Sequence, residues 1–460
     1  MSHPSRVISS WHLGSRLARK VASTLRCRRA HHGTDDVDGR LTLEDDALSR
    51  QLSYLQDNGA YYCFCEWTLR YLKNRSGYGR SADILKSLRR YHKQIGLNGI
   101  GVYHIDPYWA AQGTNATFDD TAAGGEAIMM CCGGCKTGFV TNMSASPWHF
   151  PGGVHASIGE DQPLMLFIAH MWSAAKDVVY SKRWQWLDGG DTSAQATHDT
   201  HSSVAPASSA AFWSKIIDTL VNSSNLMAVT VDQLNGPQYA FREITNTTDG
   251  YEQIQGGLAD AMAARKLPYR VDQHTPPLAM SSLHQPVWVT SRCGGDAGPN
   301  TGGSPRSEIV GASLLLSALH IRPMMDVLWT SSIESEDPYT TKCCGPNDLP
   351  SSVNSHRTDL TKDLVIATLT AGPVGIGDKI GSTNVSLLMP ALRSKEDAVI
   401  LKPTHPLYKL QRCYNGIDQV WVAPSAPSRS HSSNVDRRAN SLARLAPRGL
   451  KQERNGTFCC

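Results

Sequence analysis

No run of the roughly 18 apolar residues that a membrane helix needs occurs anywhere in the 460-residue chain, so no membrane span is expected. Acidic residues are missing altogether from residues 1–33, where seven basic residues (Arg6, Arg16, Arg19, Lys20, Arg26, Arg28 and Arg29) stand among serines. That is the composition of an organelle-targeting peptide, with an unstructured basic arm as the alternative, and it leaves the compartment open. The twelve cysteines include the tight group Cys131, Cys132 and Cys135, but a second pair at zinc-binding spacing is lacking, so no metal is expected. Neither a phosphate-binding loop nor a dinucleotide fingerprint is present: the glycines of 372–381 do not lead into a Lys-Ser/Thr helix start, and no cofactor follows. The formal charge of +4 comes with no basic patch interleaved with aromatics, which argues against nucleic acid as a partner.

What remains is a globular chain. Hydrophobic residues make up 40% and charged residues 19%, and the length suffices for one domain of barrel size with smaller pieces. Seven N-x-S/T sequons are compatible with a secreted route and do not require it. Residues 1–42 and 409–460 share a basic, Ser- and Pro-containing character with little periodicity, and both are expected to be disordered tails.

Between 43 and 408 short apolar runs alternate with longer amphipathic stretches, the pattern of βα units around a parallel sheet. Strands are expected near 52–56, 101–105, 164–168, 227–231, 268–271, 287–290, 320–323 and 372–376. Helices are expected over 81–95, 209–221, 251–264 and 307–319. Eight such units make an α/β fold, a (β/α)8 TIM barrel.

Several of these strands run into an aspartate. Asp57 follows the first, Asp106 the second and Asp232 the fourth; Asp296, Asp326 and Asp378 come shortly after the sixth, seventh and eighth. Residues at the C-terminal ends of barrel strands converge on one mouth, where such enzymes do chemistry. A lone Asp after a βα turn is more often a helix N-cap, and it is the recurrence that points to a site.

The runs around these residues carry a resemblance. Asp57-Asn58-Gly59-Ala60-Tyr61-Tyr62, Ile105-Asp106-Pro107-Tyr108-Trp109, Thr230-Val231-Asp232-Gln233, Ser291-Arg292-Cys293-Gly294-Gly295-Asp296, Arg322-Pro323-Met324-Met325-Asp326 and the run from Ala371 to Gly381 appear in one order. In that order they resemble the strand motifs of the raffinose synthase and alkaline α-galactosidase branch of glycoside hydrolases. The likeness spans about residues 50–405. It implies a retaining mechanism with Asp232 as nucleophile and Asp296 as general acid/base, and Asp57, Asp106, Trp109 and Arg292 at the sugar. Pro107, Thr230, Gly295 and Met324 depart from the pattern at positions where the group carries acids or a lysine, which weakens or redirects contacts to sugar hydroxyls. On this resemblance, the group's N-terminal β-sandwich is not expected within the residues before the first strand, nor its C-terminal β-domain recognisably beyond Pro406.

Retention requires one carboxylate to attack the anomeric carbon and another, about 5 to 5.5 Å away, to protonate the leaving oxygen. Strands four and six place Asp232 and Asp296 on one rim with a single strand between them. Arg292 favours ionised carboxylates, so it belongs nearer Asp232 or the substrate than a protonated Asp296. Trp109, Trp172 and Trp329 each follow an expected strand and either line the pocket or pack in the core. Asp378 with Lys379 reads equally as an ion pair closing the barrel or as a ligand contact, and Asp326 is similar. The expected activity is hydrolysis of an α-linked sugar, α-galactosidase-like. Transglycosylation of the raffinose-synthase type and a catalytically impaired carbohydrate-binding barrel are the alternatives. In each the partner is a carbohydrate.

Overall fold

The computed structural model describes residues 52–63, 81–105, 110–113, 139–145, 149–169, 186–189, 201–232, 249–272, 285, 287–293, 312–313, 316, 319, 321–325, 327–332, 360–403, 408–409, 421–422, 451–452 and 458–459. Eight parallel strands form its sheet: β1 (Gln56–Asp57), β2 (Val102–Ile105), β3 (Leu164–Ala169), β4 (Leu226–Asp232), β5 (Tyr269–Val271), β6 (Trp288–Arg292), β7 (Arg322–Met324) and β8 (Gly375–Ile376). From β1 to β7 each strand pairs with the next in sequence, and β8 returns to pair with β1, the winding of an α/β barrel. The ladder does not close. β7 and β8 are the sheet's edges, and one parallel bridge, Leu328 to Ile376, spans the gap between them.

Four helices follow the strands where apolar residues recur at spacings of three and four: α1 (Ser81–Gln94), α2 (Pro206–Ser223), α3 (Gly250–Ala263) and α4 (Leu360–Leu369). In α1 the buried stripe is Ile84, Leu85, Leu88 and His92, with Asp83 in the first turn and Lys93 in the last, as the helix dipole favours. In α2 a proline starts the helix and Phe212, Trp213, Ile216, Ile217 and Leu220 turn inward. Each such side chain contributes about 1.5 to 3 kcal/mol on burial. Of the helix expected over 307–319, the described residues Ala312, Ser313 and Leu316 are helical. Two antiparallel strand pairs, Ala110–Gly113 with Phe139–Ala145 and Trp186–Gly189 with His201–Val204, lie outside the βα pattern expected from the sequence. In 409–460 the described residues form parts of two short antiparallel pairs, Tyr408–Lys409 with Trp421–Val422 and Lys451–Gln452 with Phe458–Cys459.

The two faces of the sheet differ in chemistry. Leu55, Tyr103, Ile105, Leu164, Leu166, Ile168, Val229, Val231, Tyr269 and Val271 join the helices in one continuous apolar core. Val102, Met165 and Ala228 form a separate small cluster on the opposite, inner face. Side chains alternate along a strand, so register extends the inner face to Gln56, His104, Thr230, Arg270, Thr290 and Arg292, all buried. The inner face is therefore largely polar and the outer face apolar. Among the described residues no helix is long and apolar enough to cross a membrane.

Candidate active site

The C-terminal ends of β4, β5 and β6 gather the groups with most chemical potential. Asp232 is the last residue of β4, and its backbone is in register with Ala169 of β3. On the other side the backbone N–H of Asp272, just past β5, donates to the carbonyl of Val231 at 3.0 Å. Arg292 ends β6 on the inner face and is buried. Beside it Cys293 is fully buried, and burial pushes its thiol up to about 12, so it is no nucleophile near neutral pH.

Sequence reasoning missed the ion pair at the centre of this group. Arg270 of β5 donates from Nε to Asp272 Oδ1 at 2.6 Å and from Nη2 to Asp272 Oδ2 at 3.0 Å, with both side chains buried. Two residues apart on one strand, they face the same side, and the bidentate contact fixes the guanidinium plane. The signal was available in the run Arg270-Val271-Asp272, where charges alternate with an apolar residue at strand period, but the expected strand ended at 271.

Asp57 sits elsewhere. It is in register with Tyr103 on the outer, helix-facing side of the sheet and is 2% exposed. Its Oδ1 accepts from the Gly59 N–H at 2.6 Å, and its Oδ2 lies 3.3 Å from Nε2 of His92 on α1, whose Nδ1 is 3.2 Å from the Tyr103 hydroxyl. Burial pushes the carboxyl up to about 7; the Gly59 hydrogen bond opposes this and the nearby Asp378 adds to it. Burial likewise pushes His92 down to about 4, so the imidazole is neutral. Asp378 is buried and held by the Thr330 N–H at 2.8 Å and the Thr330 hydroxyl at 2.5 Å. Its carboxyl is also pushed up to about 7 by burial, against those hydrogen bonds. Lys379 lies over the Tyr61 ring, 5.3 Å from its centroid. The structure thus brings Asp57 and Asp378 together, in a network that ties β1, α1 and β2 to the segment after β8.

Trp329 is 0% exposed, packed near Gly377 in the core. Asp106, Trp109, Trp172, Asp296 and Asp326 lie outside the described residues, as does the cysteine group at 131–135. Among the described residues no group of three or more His, Cys, Asp or Glu is placed to hold a metal.

No family model and no curated protein matches the chain. Solved structures similar to it include the α-N-acetylgalactosaminidase NagBb from Bifidobacterium bifidum in complex with Gal-NHAc-DNJ, at a TM-score of 0.39 and 11% identity over 88% of this chain and 60% of that one. A quadruple mutant of the same enzyme gives a TM-score of 0.38 and 12% identity over the same shares. The chain therefore spans about 60% of the length of these structures, and similarity at this level assigns neither family nor reaction.

Proposed function

We propose that the chain is a retaining glycoside hydrolase acting on an α-linked sugar, of α-galactosidase-like type, with Asp232 as nucleophile and Asp296 as general acid/base. The observation that supports this most is the position of Asp232. It ends the fourth strand of a singly wound parallel sheet, and alternation along β4 assigns position 232 to the inner face shared by Ala228 and Thr230. The ordered strand motifs that resemble the raffinose synthase and alkaline α-galactosidase branch agree with that placement.

In the first step the Asp232 carboxylate forms a bond to the anomeric carbon as the glycosidic C–O bond breaks, and the Asp296 proton passes to the leaving oxygen. In the second, Asp296 takes a proton from water, whose oxygen displaces Asp232 from the anomeric carbon and restores both groups. In this reading the nucleophile stays ionised and the acid protonated before the first step. Asp106, Trp109, Trp172 and Asp326 belong to the proposed sugar site. Asp57 and Asp378 act, in this reading, by holding the strand ends rather than by meeting the sugar.

The test is hydrolysis of a panel of aryl α- and β-glycosides by the full chain. Asp232→Asn is expected to abolish turnover, a loss of at least about 10³-fold, with folding preserved. Asp296→Ala is expected to spare activated aryl leaving groups more than natural ones. Full activity in both variants overturns the assignment. A stable chain inert on every member of the panel points to the impaired carbohydrate binder.

A further inference from the structure

Two buried polar atoms on the inner face have no hydrogen-bond partner among the described residues, and they belong to residues paired in register. They are Oγ1 of Thr230 on β4 and Nη1 of Arg270 on β5. Thr230 and Arg270 are direct register partners, 0% and 2% exposed. Parallel register partners point to the same side of the sheet. A buried donor left unmet is costly, so two together on one wall of a proposed pocket point to something that meets them.

The donor inventory indicates the kind of group. Asp272 takes the Nε and Nη2 edge of the guanidinium, which leaves both Nη1 hydrogens directed away from that carboxylate. With the Thr230 hydroxyl, three hydrogens on these two register partners stay unmet among the described residues. A sugar hydroxyl would bring a fourth hydrogen and a single oxygen. A carboxylate brings two oxygens and no hydrogen, matching a fixed guanidinium and a rotatable hydroxyl. Arg292 lies on the same face of the next strand and adds a second guanidinium to that wall.

We propose that Thr230 and Arg270 form a subsite for a carboxylate carried by the sugar, so that the glycoside taken is a hexuronide. This rests on the glycosidase reading for the ligand being a sugar. Arg270 is oriented by Asp272, and the subsite selects substrate without taking part in bond cleavage.

Calorimetric titration of the full chain with methyl α-D-galacturonide and methyl α-D-galactoside, which differ only in the C6 group, tests the proposal without needing turnover. The uronide is expected to bind at least about tenfold tighter, as charge-assisted hydrogen bonds imply. Thr230→Val keeps the volume, removes one donor and leaves no buried charge. It is expected to weaken uronide binding roughly threefold to tenfold and to weaken the neutral glycoside less. Arg270→Lys keeps a cation opposite Asp272, so folding can be verified by circular dichroism, and it is expected to erase the preference. Equal or tighter binding of the neutral glycoside, equal losses for both ligands in Thr230→Val, or no binding of either ligand overturns the subsite. Hydrolysis of the matching aryl glycosides separates the two readings. Uronide binding with neither aryl glycoside cleaved retains the subsite and overturns the glycosidase, whereas cleavage of the neutral one alone does the reverse.

Discussion

Burying a carboxylate beside an imidazole leaves the pair two ways to avoid a naked charge, and Asp57 and His92 use both. The carboxyl is pushed up and the imidazole down, so near pH 6 neither need be ionised, while Gly59 and Tyr103 supply the remaining hydrogen bonds. The consequence for stability has a definite sign. Asp57 and Asp378 hold protons in the folded chain between their ordinary value of 3.8 and about 7, so their contribution is full at the acid end and lost as pH rises toward 7. His92 acts oppositely, since the unfolded imidazole binds a proton below 6.5 and the folded one only near 4; its contribution is lost as pH falls through that window. Two groups outweigh one, each worth at most about 1.4 kcal/mol per pH unit. From these three groups stability is expected to fall between pH 5 and 7.5, and Asp57→Asn, which keeps an acceptor for Gly59, should flatten that fall. Urea midpoints across the range check this; an unchanged slope would mean that the Asp57 carboxyl is ionised throughout.

Helices α2 and α3 show how closely two elements can be matched at one residue. A Cβ at Gly257 would stand 2.5 Å from Ser209 Oγ, 2.6 Å from Ala210 N and 2.7 Å from Ser209 C, and Ser209 is itself tied across the interface by its bond to the Ile254 carbonyl at 2.8 Å. Backbone cannot yield as a side-chain end can, so Gly257→Ala is expected to cost about 1 to 3 kcal/mol. At Gly256 nothing lies within 4 Å, and Gly256→Ala is expected to gain roughly 0.5 to 1 kcal/mol from helix propensity. Thermal or urea unfolding of the two variants should move in opposite directions; a matched shift would sink the packing account. The same scale explains what could be read from sequence. Outward-facing apolar residues repeat at strand or helix period, so all eight strands and α1, α2 and α3 lie within a few residues of expectation. The inner face is polar and has no such pattern, which is why Arg270 with Asp272 went unnoticed, and why Asp57, one residue past its expected strand, was assigned to the mouth instead of the helix side. The short strand over 320–323 was found shifted toward its end, at Arg322–Met324, because an apolar run marks a strand without marking its register.

For the molecule as a whole the decisive feature is the seam between β7 and β8, where the ladder gives way to one bridge. Backbone contact replaces pairing there: Leu328 N–H donates to the Gly375 carbonyl at 2.8 Å, Gly377 N–H donates to the Leu328 carbonyl at 3.1 Å, and the Gly372 backbone lies against that of Pro323. The winding order was legible because strands separated by single helical units pair in sequence. The seam was not, since its contacts are made by glycines and carbonyls that leave no side-chain signature. A Cβ at Gly372 would lie 1.7 Å from the Pro323 carbonyl oxygen and 2.6 Å from its carbon, a clash that neither segment relieves without opening the seam. Opening it moves Thr330 off Asp378 and breaks the link from the seventh strand to the eighth. Gly372→Ala is therefore expected to destabilise the fold by about 3 kcal/mol or more and to lower activity through loss of folded protein. Near-UV circular dichroism and a urea titration together check it: a shifted midpoint with retained native signal at low urea fits a strained but closed seam, a lost signal fits an opened one, and wild-type behaviour in both would show that the two strands do not meet at Gly372.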